Sequence, residues 1–272
     1  MLEPLLIVEL GILGLGTGFL AGLLGIGGGM LLVPFLTYIL GHHQQVAPDL
    51  AVKMAIATSM ATILFTSVSS VRAHHKRAAV RWDIVRRLAP GIVLGGLVAS
   101  LGIFALLKGA FLAIFFGLFV SFSAFQMFLD KKPAPSRQMP GTGGQLAAGG
   151  LIGFLSGLVG AGGGFVSVPF MTWCNVAIHN AVATSAALGF PIALANVVGY
   201  AVGGQSVAGL PTASLGYIWL PALAVIATCS VLTAPLGARA AHQLPVKQLK
   251  RVFSSLLLVL AAYMLWKGIA AF

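Results

Sequence analysis

Apolar residues run along this chain in long blocks, and polar residues are confined to the gaps between them. The first five blocks are about Leu10–Leu24, Met30–Leu40, Leu50–Val71, Leu88–Leu107 and Ala110–Leu129. The next five are Leu146–Val159, Gly164–Cys174, His179–Val202, Tyr217–Gly237 and Leu249–Phe272. Most hold about 20 residues, enough for a helix to cross a ~30 Å hydrocarbon core at ~1.5 Å per residue. Met30–Leu40 and Gly164–Cys174 are too short and reach only ~16 Å as helices. Each follows a glycine cluster and carries a proline, Pro34 or Pro169. The pattern predicts an all-α, polytopic membrane protein.

Composition agrees. Hydrophobic residues make up 58% of the 272 and charged residues 8%, against about 25% charged in a soluble domain. So few charges cannot keep a globular surface wet. The net charge of +11 would suggest nucleic-acid binding in a soluble protein. Here the bases lie between apolar blocks, where they set orientation, and no nucleic-acid partner is expected. Met1-Leu2-Glu3-Pro4 lacks a basic n-region, so the first apolar block reads as part of the mature protein. Trp82, Trp173, Trp219 and Trp266 fall near block ends and suit an interfacial aromatic belt.

The glycine clusters are one motif used twice. Gly18–Thr37 and Gly153–Thr172 agree at thirteen of twenty positions with a spacing of 135. Ala57-Thr58-Ser59 is echoed by Ala183-Thr184-Ser185. The chain therefore divides into a first transmembrane repeat (1–130), a linker (131–145) and a second repeat (146–272), each repeat with about five helical segments.

Thirteen of the sixteen Lys and Arg fall at 72–87, 130–145 and 238–251, and these loops are expected to face the cytoplasm. Each half then crosses an odd number of times, so the second half is inverted. The loop Gly203–Ser214, partner of the most basic loop, has no Lys or Arg. Inverted repeats with matched, Gly/Pro-interrupted short segments are a signature of secondary transporters.

Several residues carry candidate chemistry. Three consecutive glycines break a helix, and broken helix ends in a membrane are tolerated where they are buried in protein or line a cavity. Gly27, Gly28, Gly29, Gly162, Gly163 and Gly164 would offer backbone N–H groups to an anion, or else serve close helix packing. Thr58, Ser59, Thr184 and Ser185 would donate to the same anion, or bond back to a carbonyl. Lys53 and His179 stand four residues before the matched Ala57 and Ala183. They read as positive charge near a substrate, or as interfacial snorkelling bases. Pro191 predicts a kink, with Asn196 bonding across helices or lining the path.

The five carboxylates, Glu3, Glu9, Asp49, Asp83 and Asp130, all lie near segment ends. Transported cations and proton relays usually rely on intramembrane carboxylates, so a small anion fits better. No GxSxG or HExxH motif is present, and no metal-ligand spacing is seen. No enzyme activity, metal or cofactor is expected. Cys174 and Cys229 form no CxxC pair, though a sulfur relay through them is a separate hypothesis.

The twin G-x-GGG-x₄-P motifs at Gly25–Pro34 and Gly160–Pro169 and the twin Ala-Thr-Ser motifs resemble the TauE/SafE sulfite exporter family. So do the His-His-Lys-Arg…Val-Arg-Trp loop and the run Ala234–Arg239. The resemblance covers nearly the whole chain. It implies transport of sulfite, sulfoacetate or related sulfonates by an inverted-repeat fold in the bacterial cytoplasmic membrane. Lys53 departs from the polar or small residue expected there. The expected partners are thus a small anion and the lipid bilayer, and a homo-oligomer is compatible with the pattern. Export by alternating access is the first expectation. A passive anion channel, or an uptake permease for another sulfur-containing or carboxylate anion, is the alternative.

Overall fold

The structure, a computed structural model, describes residues 3–25, 28–129, 137–241 and 251–271 and the backbone of 246–250. The first half contains α1 (Pro4–Leu24), α2 (Gly29–His42), α3 (Pro48–His75), α4 (Trp82–Leu97) and α5 (Gly109–Leu129). The second contains α6 (Thr142–Val159), α7 (Gly164–Trp173), α8 (Ile178–Gly203), α9 (Leu220–Ala240) and α10 (Val246–Ala270). A π-helical stretch, Val98–Ile103, extends α4. The described residues are all-α apart from one minute hairpin, β1 (Ser214–Leu215) with β2 (Ile218–Trp219), antiparallel and in register Ser214↔Trp219.

Local chemistry explains the element ends. Prolines open α1, α3 and α9, where the missing N–H has no helical partner to lose. Gly25 (φ +67) and Gly160 (φ +71) end α1 and α6 in the left-handed conformation that glycine adopts freely. Helix α2 resumes at Gly29 and α7 at Gly164, so the break expected at each glycine cluster is present. Pro34, Pro169 and Pro191 lie inside continuous helices.

Among the described residues eight helical segments are long and apolar enough to cross a membrane: α1, α3, α4 with its extension, α5, α6, α8, α9 and α10. The chain is a multi-pass membrane protein. In α3 and α8, 72% and 67% of the apolar window is buried, against 33–50% in the other six. These two helices form the centre, and the others turn a face outward. Apolar side chains such as Leu118, Phe122, Val259 and Trp266 are exposed there, as lipid contact requires.

The packing is swapped between halves. Helix α1 lies along α9, and α6 lies along α4; α3 packs on α9, and α8 packs on α4. Helix α5 pairs with α10, and α3 with α8. Gly14, Gly18 and Gly22 meet the backbone of α9 at Ile226, Ser230 and Ala234. Of their counterparts 135 residues on, Gly149 and Gly153 meet the backbone of α4 at Leu88 and Ile92, while Gly157 meets the Asn196 side chain of α8 and the Ala99 side chain of the π-helical stretch. Small residues at four-residue spacing allow such backbone approach in a membrane. Gly117 meets Ala261 and Leu265 while Gly268 meets Ala110 and Ile114, so α5 and α10 run antiparallel.

Three expectations change. Helix α6 starts at Thr142, inside the expected linker. Helix α9 starts at Leu220 rather than at Tyr217, because Ile218 and Trp219 are taken by the hairpin. Trp219 is 1% exposed and so belongs to the interior, whereas Trp82, Trp173 and Trp266 are exposed.

Candidate functional site

The two glycine breaks meet between α3 and α8. A Cβ on Gly29 would lie 2.2 Å from the Gly160 carbonyl oxygen and 2.9 Å from Ser59 Oγ. The breaks are thus in direct contact, and only glycine fits at Gly29. Gly28, Gly162, Gly163 and Gly164 are also buried here; Gly27 lies outside the described residues. The first helical bonds of α2 come from Leu31 and Leu32 N–H to the Gly28 carbonyl. In α7 they come from Val166 and Ser167 to Gly163. The N–H groups of Gly29, Met30, Gly164 and Phe165 therefore precede the helical ladder and point from the positive helix ends.

The four predicted hydroxyls tie each half to the other. Ser59 Oγ donates to the Gly160 carbonyl at 3.0 Å, and Ser185 Oγ donates to the Gly25 carbonyl at 3.0 Å. Thr58 Oγ1 accepts the Trp219 N–H at 3.0 Å, and Thr184 Oγ1 accepts the Arg81 N–H at 3.0 Å. Each pair is the same bond made once from either half. Helix-end carbonyls and N–H groups have no partner within their own helix, and these side chains supply one. All four side chains are fully buried. Arg81 turns its guanidinium to Asp83 at 2.8 Å, and that hydrogen bond holds it above its ordinary pKa.

The other predicted residues are placed differently. Lys53 is buried one turn from Thr58, on the side of α3 that starts the helix. Its Nζ donates to the Ala105 carbonyl at 3.3 Å, lies 3.9 Å from Asp49 and stands over the Tyr217 ring. Its counterpart His179 is exposed at the start of α8. Asn196 is buried in α8; its Nδ2 donates to the Ile192 carbonyl at 2.8 Å, and its Oδ1 has no hydrogen-bond partner.

Sequence reasoning overlooked several polar residues at this centre. Ser167 donates to Ser185 at 2.9 Å. Thr66 and Ser230 share a hydrogen bond of 2.7 Å between α3 and α9. His74 approaches the Gly22 carbonyl at 3.2 Å, and the Tyr200 hydroxyl donates to the equivalent Gly157 carbonyl. The available signal was spacing: Thr58, Thr62, Thr66, Ser70 and His74 recur every four residues, along one slowly turning helical face.

A cavity with about 10 Å³ of free volume, room for about one water molecule, adjoins the crossing between Gly25, Thr66, Ser67, Ser70, Gly162 and Ser185. It cannot hold a polyatomic anion as it stands. Thr58, Ser59, Thr184 and Ser185 are all fully buried around it, so an anion of that size needs the helices to separate. Among the described residues no three His, Cys, Asp or Glu side chains cluster as metal ligands.

The sulfite exporter TauE/SafE family model matches residues 10–264. This chain belongs to that family. A probable membrane transporter protein of Haemophilus influenzae is 37% identical over 92% of this chain and 94% of its own length. A probable membrane transporter protein of Methanocaldococcus jannaschii is 28% identical over 97% and 96%. One from Bacillus subtilis is 27% identical over 96% and 98%. No solved structure matches the chain.

Proposed function

We propose that this TauE/SafE family member is a secondary transporter that exports a small organosulfur anion, such as sulfite, sulfoacetate or a related sulfonate, across the bacterial inner membrane. The reading rests on one observation: two helix breaks of like sequence are cross-tied by matched hydroxyls at a buried centre. Family membership and the transporter names of the relatives support it.

In this reading the halves, 1–130 and 146–272, are inverted copies joined by a cytoplasmic linker, and the basic loops 72–87, 130–145 and 238–251 face the cytoplasm. The N–H groups around Gly27–Gly29 and Gly162–Gly164 receive the anion. Ser59 and Ser185 exchange their carbonyl bonds for bonds to it, at a net cost of about 1 kcal/mol each that the charge-assisted bonds offset. Lys53 contributes positive charge along the outward route, whereas Asn196 in α8 keeps its Nδ2 on the Ile192 carbonyl and packs against Gly157. His179 contributes a more distant charge at the mouth of the opposite route. Rocking of one half against the other opens the centre to each face in turn. An inside-negative potential drives anion exit by about 2.3 kcal/mol per charge per 100 mV, so export needs no coupled cation.

Proteoliposome flux tests the proposal. Labelled sulfite or sulfoacetate should leave loaded vesicles with saturable kinetics and show counterflow against unlabelled anion. Ohmic current without counterflow would convert the reading to a passive channel. No flux of any sulfur-containing or carboxylate anion would end it.

A further inference from the structure

The two central helices are matched in position but unequal in chemistry. With Ser59 aligned on Ser185, the α3 residues Thr62, Thr66, Ser67 and Ser70 fall on Leu188, Ile192, Ala193 and Asn196 of α8. All four α3 side chains are buried. Helix α3 thus carries a continuous hydroxyl ladder from the crossing toward its basic end, whereas α8 carries the aliphatic Leu188, Ile192 and Ala193 before it reaches Asn196.

The cavity follows this inequality. It lies between the two helices, lined by Thr66, Ser67 and Ser70 from α3 and by Ser185, Ala186 and Gly189 from α8, so beyond the crossing its hydroxyls come from α3. Ser70 is 3% exposed, lines the cavity, and its Oγ has no hydrogen-bond partner. A buried hydroxyl without a partner is unfavourable, so a ligand that accepts its proton is favoured there. At the equivalent place in α8 the larger Asn196 fills the space: a Cβ on Gly157 would lie 2.2 Å from its Oδ1. The next rung beyond Ser70 is His74, and Arg77 then donates to the Ala238 carbonyl at 2.8 Å.

We propose that the α3 ladder is a one-sided entry route that leads a small anion from the face that bears the basic loop 72–87 to the central crossing, with the Ser70 cavity as a polar subsite between them. This rests on the transport reading and adds where the barrier is thin. Thr62 and Thr66 donate to the carbonyls of Thr58 and Thr62, and Ser67 to that of Leu64. Each hydroxyl can rotate toward a passing anion while those carbonyls keep their helical N–H bonds. Ser70 needs no such exchange, because its proton is uncommitted. Leu188, Ile192 and Ala193 offer no donor, so a charge moving along α8 stays unsolvated.

Cysteine labelling of the full-length protein in membrane vesicles tests this. Cys174→Ala and Cys229→Ala supply a background without native thiols. Ser70→Cys is compared with Asn196→Cys, using the anionic reagent sulfonatoethyl methanethiosulfonate from either face. Ser70→Cys should react from the basic-loop face about tenfold faster than Asn196→Cys reacts from either face, the ratio set by about one uncompensated polar group in the barrier. Thr66→Cys serves as a second ladder position should Ser70→Cys fail to accumulate. Labelling from the opposite face, equal rates at Ser70 and Asn196, or reaction only with an uncharged reagent of similar size would each overturn the route. Those outcomes leave saturable anion flux untouched. One-sided labelling without flux would instead sustain the ladder and remove the transport reading.

Discussion

Gly29→Ala is the sharpest probe of the crossing. Its Cβ would sit 2.2 Å from the Gly160 carbonyl oxygen, 2.9 Å from Ser59 Oγ and 3.0 Å from the Ala161 Cα. The first distance is about 1 Å inside ordinary contact. Two of these three neighbours are backbone, so no side-chain rotation relieves the overlap. The two breaks must separate, and the Ser59 bond to Gly160 must lengthen or break. Overpacking of this kind costs about 1–3 kcal/mol, and losing the bond adds about 1 kcal/mol. Gly16 supplies the control, because a Cβ there meets nothing within 4 Å and it lies in the same broken hairpin. Thermal unfolding of the purified protein should show Gly29→Ala lower by roughly 2–4 °C per kcal/mol and Gly16→Ala unchanged or higher. Counterflow should be lost in Gly29→Ala and kept in Gly16→Ala. A Gly29→Ala protein that melts and transports like Gly16→Ala would show that the breaks do not meet.

Further outcomes follow from the same geometry. Ser59→Ala and Ser185→Ala should each lower stability by about 1 kcal/mol and raise the KM for the transported anion, with similar effects because the two bonds are equivalent; unequal loss would argue for one dominant half. Tyr200→Phe removes the tie to Gly157 and should cost about 0.5–1.5 kcal/mol in thermal unfolding without changing the KM for the anion. Lys53→Gln should raise KM more than it lowers the maximal rate, since the charge attracts rather than reacts; an unchanged KM would make Lys53 a structural tie to Ala105 and Asp49. Replacing Cys174 and Cys229 together by alanine should leave flux intact, and its loss would revive a sulfur relay.

Much of this protein is written locally. The apolar blocks, the breaks at Gly25–Gly29 and Gly160–Gly164 and the duplication follow from the residues alone, because helix length, glycine conformation and sequence identity need no knowledge of neighbours. The pairing of Thr58 and Ser59 with Thr184 and Ser185 was legible as well, since they recur in matched positions. Their partners were not. Ser59 serves the other half's Gly160, and Thr58 receives Trp219, across 101 and 161 residues.

Tertiary structure alone decided which faces meet. A membrane helix is apolar all round, so its pattern marks burial in lipid or protein without saying which side packs. That is why the glycine rows of α1 and α6 went unread, and why Trp219 looked interfacial until the hairpin carried it inside. Burial of the centre is likewise a property of the assembled helices, set by how tightly backbones approach at glycine. The inequality of α3 and α8 was present in the residues from the start. It acquired a meaning only when the fold set the two helices against each other and left a cavity between them whose hydroxyls beyond the crossing come from α3.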